Sequence, residues 1–127
     1  MSKAARGEVW NVNFDPTMGA EITKVRPAVI VNVPNVGKLP LVIVVPTTEW
    51  KTPYENYVWF TFLSPTLENG LTKTSGADAF QVKSLSELRL LRRLGRVTEV
   101  ELQSVVAGVA LCVGYRHPQT FSNPKIT

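Results

Sequence analysis

Thr98-Glu99-Val100-Glu101-Leu102-Gln103-Ser104-Val105-Val106-Ala107-Gly108-Val109-Ala110-Leu111-Cys112-Val113-Gly114 is the stretch that decides the fold. Leu102, Val105, Val106, Val109, Ala110 and Val113 recur at i, i+3, i+4, i+7, i+8 and i+11, the period of a helix with one apolar stripe. Thr98 and Glu101 stand at the spacing of a capping box, and Gly114 suits a left-handed C-cap. Gly108 lowers helix propensity by about 1 kcal/mol relative to Ala, a loss compatible with close approach to a neighbouring backbone. This one convincing helix comes last. Nearly everything before it reads as strand.

Working back toward the N-terminus, Trp10, Val12 and Phe14 alternate with Asn11 and Asn13, which predicts a half-buried strand over 8–14. Asp15-Pro16-Thr17-Met18-Gly19 supplies turn chemistry, and a charged loop leads to a second strand over 28–33. Leu41-Val42-Ile43-Val44-Val45 has the β-branched content of a central strand covered on both faces, with Pro46 expected to stop it. A fourth strand is expected over 56–62 and a fifth around 79–82. Ser75-Gly76 is a turn signal without phosphate-loop spacing. Ser84-Leu85-Ser86-Glu87 has the form of a second capping box that opens a short turn before the chain extends toward Val97. Strands first and the main helix last favour a mainly β (α+β) domain, a small curved antiparallel sheet or partly open barrel, over a parallel α/β fold.

The chain has 127 residues, a length that suits one domain, with residues 116–127 as a surface tail. No apolar run is long enough to cross a bilayer, and Glu8 and Asn11 interrupt any signal-like segment after the basic start, so a cytoplasmic protein is expected. One cysteine and one histidine leave no soft-ligand cluster, so no metal or other cofactor is expected. Cys112 reads as a small core residue and His117 as a surface one.

The 14 basic and 10 acidic residues leave a net charge of +4. Lys83, Arg89, Arg92, Arg93 and Arg96, opposed only by Glu87, hold a surplus equal to that of the whole chain. This strip reads as a phosphate-binding surface, as a solvated strand edge, or as a docking strip for an acidic protein. Pro27 holds Arg26 in extended backbone where the charged loop becomes strand. Glu21 precedes it in the loop, and Thr47 and Thr48 follow the central strand. A carboxylate, an arginine and a hydroxyl without metal ligands or a Ser-His or Cys-His pair suit cleavage of RNA by its own 2′-hydroxyl, where the protein stabilises charge and moves protons. Trp50 and Tyr54, with Lys51 between them, are candidate base stackers; Tyr57 and Trp59 read as core or dimer contacts.

Several blocks, in order, carry a resemblance. They are Arg6-Gly7-Glu8-Val9-Trp10, Phe14-Asp15-Pro16-Thr17-Met18-Gly19-Ala20-Glu21, Val25-Arg26-Pro27-Ala28-Val29-Ile30-Val31, Ile43-Val44-Val45-Pro46-Thr47-Thr48, Gln81-Val82-Lys83-Ser84-Leu85 and Leu91-Arg92-Arg93-Leu94-Gly95-Arg96-Val97-Thr98. Over about residues 6–115 the chain resembles the MazF/PemK/Kid family of toxin endoribonucleases, the mRNA interferases of type II toxin–antitoxin systems. The resemblance implies an SH3-like antiparallel barrel, a homodimer, and metal-independent cleavage of single-stranded RNA. It also implies neutralisation by an antitoxin peptide and contact with operator DNA through the antitoxin complex.

Carried over by position, Arg26 would stabilise the scissile phosphate and relay a proton. Thr48 would bond the phosphate or orient the attack, and Glu21 would act as base, unless it is a surface carboxylate paired with Lys24. RNA-binding candidates are Lys24, Thr47, Trp50, Lys51 and Tyr54 in the first half, and Asp78, Gln81, Lys83, Arg92 and Arg93 in the second. The chain departs from the family pattern at Phe80, where an aspartate is usual. A phenylalanine accepts no proton, so that role is absent or has moved to Asp78, expected on the same strand face. Phe80 also favours the rival reading, a non-catalytic module that inhibits a protein target such as gyrase or only binds an antitoxin.

Overall fold

The computed structural model describes residues 3–116. Met1, Ser2 and residues 117–127, with His117 and nearly all of the expected tail, lie outside the described residues. Strands β1 (Glu8–Asn13), β2 (Val25–Ile30), β3 (Leu41–Glu49), β4 (Phe60–Leu63), β5 (Ser75–Asp78), β6 (Lys83–Ser86) and β7 (Leu90–Arg96) precede one α-helix, α1 (Glu99–Val113). They form a seven-stranded sheet in the order β4-β5-β3-β2-β1-β7, with β6 also paired to β3. Every pairing is antiparallel.

Side chains alternate between the two faces of a strand, and here each face has a core of its own. Trp10, Val12 and Phe14 pack with Ala28, Ile30, Val42 and Val44 on one face. Val9, Val29, Val31 and Val45 pack on the other, with Leu63, Leu102 and Val105. β1 is therefore buried on both sides at Val9 and Trp10, where the alternation predicts a polar outer face; Glu8, Asn11 and Asn13 keep partial exposure.

Pro46 does not stop β3. The strand runs on to Glu49 because its neighbour changes there: β6 pairs with Leu41–Val44, and β5 takes over at Thr47. A proline without an N–H is tolerated at that change of partner, and its ring is fully buried. The sequence places β2 too late, since the strand begins at Val25 and holds Arg26 within it. The fourth strand starts later than expected, at Phe60, because the 3-10 turn Thr52–Asn56, with Pro53 at its start, is followed by a further turn in which Phe60 N donates to the Tyr57 carbonyl.

β5 lies earlier than expected. Ser75 and Gly76 are strand, while Ala79–Gln81, expected as strand, is a 3-10 turn capped by Asp78. Ser84 belongs to β6, and Ser86 caps the short turn Glu87–Arg89.

The last helix closes as its capping box predicts: Thr98 Oγ1 accepts from Glu101 N at 3.1 Å, and Glu101 Oε1 accepts from Thr98 N at 2.9 Å. Gly114 ends it at φ 75°. Leu102, Val105 and Gly108 are its buried residues, whereas Val113 is exposed. A Cβ on Gly108 would stand 2.9 Å from the Trp59 carbonyl oxygen and 3.0 Å from Ala79 Cβ, so the glycine is where the helix touches the turns that precede β4 and follow β5. Cys112 is only half-buried rather than a core residue; burial pushes its thiol pKa up, and the charge of Asp78 pushes it the same way.

Candidate active site

Arg26 and Thr48 face each other across neighbouring strands. In the β2–β3 ladder Ala28 pairs with Pro46, and two residues further in opposite directions lie Arg26 and Thr48 on the same face. Arg26 Nη1 is 3.4 Å from Thr48 Oγ1, a long hydrogen bond. The guanidinium is fixed from behind, because its Nε donates to the Thr23 carbonyl at 2.9 Å. This leaves the fork directed along Thr48, with donors to spare for a phosphate.

The loop before β2 is pinned to the sheet. Lys24 has φ 67°, its N–H donates to Asp15 Oδ1 at 2.9 Å, and its carbonyl accepts from Phe14 N. Ile22 N donates to Gln81 Oε1 at 2.7 Å. Gln81 Nε2 in turn donates to Asp78 Oδ2 at 3.3 Å, and Phe80 N donates to Asp78 Oδ1 at 3.1 Å. Asp78 and Gln81 therefore act in this structure as a buried cap and a loop tether. Asp78 does not share a strand face with Phe80, as the sequence predicts, because Phe80 sits on the 3-10 turn with 74% of its surface exposed.

Glu21 accepts from Met18 N at 2.8 Å. Neither the pairing with Lys24 nor a bond to Arg26 is present among the described residues; the carboxylate is exposed on the loop. Thr47 points the other way from Thr48, is 2% exposed, and donates its hydroxyl to the Pro27 carbonyl at 2.8 Å. Its side chain ties β3 to β2 and has no surface to offer RNA.

Most of the basic strip is engaged within the protein. Arg89 donates to the carbonyls of Asn13 and Asp15, and Arg96 to that of Arg6. Arg93 forms a salt bridge with Glu8 at 2.8 Å. Arg92 pairs with Asn11, and Asn11 with Pro27, so Arg92 lies on the opposite face from Val12 and Arg26. Lys83 does lie on the Arg26 face, its Nζ 5.9 Å from the centre of the Phe14 ring. Arg89, Arg93 and Arg96 of the strip over 83–96 thus serve as clamps within the protein, with Lys83 on the face of Arg26 and Arg92 on the opposite one.

The aromatic residues gather at the other end of the same face. Trp50 meets Phe62 edge to face at 5.0 Å and Tyr54 at 5.7 Å. Tyr54 stacks on Phe60 at 4.3 Å, and Tyr57 on Trp59 at 4.9 Å. Tyr54 therefore already has one ring face covered, and Tyr57 and Trp59 form a surface pair outside any strand. Lys51 is exposed beside Trp50. Sequence reasoning missed Thr23, whose carbonyl aims Arg26, and Phe62, whose place beside Trp50 depends on strand register. The signal available for Phe62 was the alternation Phe60-Thr61-Phe62-Leu63.

A curved antiparallel sheet with a terminal helix and an arginine–threonine pair between adjoining strands defines a small, mainly β class of fold. MazF from Deinococcus radiodurans matches it with TM-score 0.74 at 21% identity, covering 88% of this chain and 97% of that one. A mycobacterial endoribonuclease in complex with its cognate antitoxin matches with TM-score 0.68 at 18% identity, covering 91% and 99%. In sequence, Endoribonuclease MazF9 of Mycobacterium tuberculosis is 34% identical over 104 residues, 76% of this chain and 85% of that protein. Residues 5–113 match the family described as PemK-like, MazF-like toxin of type II toxin–antitoxin system. The chain belongs to that family.

Proposed function

We propose that this toxin-family endoribonuclease cuts single-stranded RNA without a metal ion, using the substrate's own 2′-hydroxyl. The 2′-oxygen loses its proton and attacks the adjacent phosphorus. The bond to the 5′-oxygen then breaks, and that oxygen takes a proton, leaving a 2′,3′-cyclic phosphate and a 5′-hydroxyl. The observation that carries this reading is the cross-strand pair Arg26–Thr48. Its guanidinium and hydroxyl donate to the phosphate oxygens, where negative charge grows in the transition state. Arg26 also passes the proton to the leaving oxygen. Glu21, exposed on the loop before Arg26, is the carboxylate available to accept the first proton.

Lys24, Lys51 and Lys83 would meet the RNA backbone, with Trp50 and Tyr54 against its bases. The protein would work as a cytoplasmic homodimer. The acidic segment of a cognate antitoxin would silence it, and the complex would reach operator DNA through that antitoxin.

Purified protein incubated with long RNA in chelator should give discrete fragments ending in cyclic phosphate. Arg26→Ala should reduce the rate by about 10²–10³-fold, the usual loss on removing a donor to a developing oxyanion. Wild-type cleavage that depends on added Mg²⁺, or equal cutting by the variant, would overturn the mechanism. Growth arrest on expression without any RNA fragmentation would select the non-catalytic alternative.

A further inference from the structure

We propose that Phe62 is a nucleobase platform, on which lies the base of a nucleotide adjoining the phosphate held by Arg26 and Thr48. The proposal rests on the RNA-cleavage reading and adds to it where one base sits. Register supplies the first argument. Thr48 pairs with Gly76, and Gly76 pairs with Phe62, so Arg26, Thr48, Gly76 and Phe62 form one row across four strands on one face. At about 4.8 Å per strand, the Phe62 backbone lies roughly 10 Å from that of Thr48.

What fills the row between them is aromatic. A Cβ at Gly76 would stand 2.8 Å from Phe60 Cδ2 and 3.0 Å from Trp50 Cε3. The two rings therefore lie down over the glycine and carry apolar surface up to Thr48. The missing side chain is what lets both rings close over this position of the row.

Phe62 itself is 51% exposed between Thr61 and Leu63, which are buried. Its one described ring contact is the edge-to-face meeting with Trp50 at 88°, which occupies at most one face of the ring. Among the described residues the other aromatics of the cluster are more fully engaged, Tyr54 with Phe60 and Tyr57 with Trp59. An exposed phenylalanine on the edge strand β4 invites association unless it has a partner. A base above it, continuous with a phosphate at Arg26, provides one. Phenyl has no hydrogen-bonding group, so selection there rests on stacking strength, and the larger purines are favoured.

The test uses the full-length protein and an oligoribonucleotide carrying the cut sequence found by fragment-end mapping, made uncleavable by a 2′-deoxy group at the attacking nucleotide. Binding is read by fluorescence anisotropy, with each base in turn replaced by an abasic unit. One position next to the cut should lose affinity by about 5- to 100-fold in the wild type. Phe62→Leu, which keeps apolar bulk but removes the π-face, should weaken the intact oligonucleotide by a similar factor and be indifferent to the abasic unit there. It should raise KM while kcat at saturating RNA stays within about twofold, and Phe62→Trp should restore binding. Unchanged affinity in Phe62→Leu, or a full abasic penalty persisting in it, overturns the platform while cleavage by the wild type stands. A change in mass by light scattering in Phe62→Leu also overturns it, assigning the face to a second copy. Failure of the wild type to cut any RNA removes the parent reading itself.

Discussion

Lys24 occupies the left-handed backbone region at φ 67°, two residues before the arginine whose aim it helps to set. That conformation costs an L-residue with a β-carbon about 1–2 kcal/mol. Here it is held by bonds from its own N–H to Asp15 and from Phe14 N to its carbonyl. Glycine at 24 removes the steric cost but restores about 0.5–1 kcal/mol of unfolded-state entropy. Lys24→Gly should therefore equal the wild type in stability or exceed it by up to about 1.5 kcal/mol, and should exceed Lys24→Ala, as read from urea midpoints. If Lys24 meets a phosphate, both variants should flatten the dependence of log affinity on log salt by about 0.7 for single-stranded RNA. A stable Lys24→Gly with an unaltered salt slope would remove Lys24 from the RNA-binding set. Arg26 and Thr48 were legible in the sequence as separate motif residues. Their pairing was not, because it follows from a register of two strands joined by a long loop, and no local pattern encodes it.

At the scale of elements, α1 was legible because its signals are local: a capping box at one end, a left-handed glycine at the other, and an apolar stripe between. The strands after residue 70 were displaced in the sequence reading for a physical reason. Ser75 and Gly76 resemble a turn, yet they are strand, and Gly76 is required there because the Trp50 and Phe60 rings lie over it. Pro46 resembles a strand end, yet it falls where β3 changes partner.

Gly108 resembles a helix defect, and the structure makes it a contact. Gly108→Ala raises intrinsic helix propensity by about 0.8–1.0 kcal/mol, but drives a methyl group to 2.9 Å from a backbone oxygen. Overpacking of this kind costs about 1–3 kcal/mol, so the net effect should be a loss of stability. A urea midpoint higher than that of the wild type would show that α1 can move off Trp59 and Ala79 without penalty.

For the molecule as a whole, Glu8 is a group through which pH reaches the fold. It opens β1 and binds three parts of the chain at once: the turn before it through Ala5 N at 2.8 Å, its own strand through Trp10 Nε1 at 3.0 Å, and β7 through Arg93. Burial raises its pKa, but the bonds from Trp10, Ala5 and Arg93 and the Arg93 charge outweigh burial, and the net shift is downward. A carboxyl with its folded pKa depressed binds protons more readily in the unfolded chain. Its stabilising contribution is therefore complete above the unfolded value of about 4.3 and is lost as pH falls through the lower folded value. Glu8→Gln keeps the shape but removes the charge, so it should be less stable than the wild type at pH 7. The two should converge as pH drops below about 4. Urea titrations at pH 7 and pH 3 followed by tryptophan fluorescence measure the difference directly. The β1–β7 pair forms one end of the sheet and β1 also carries Val12 beside Arg26, so loosening that end should loosen the site with it. RNA cleavage by Glu8→Gln should then fall at lower urea than in the wild type. A constant gap between the two proteins across the whole pH range would assign the effect to lost packing and leave the acid response of the fold to other carboxylates.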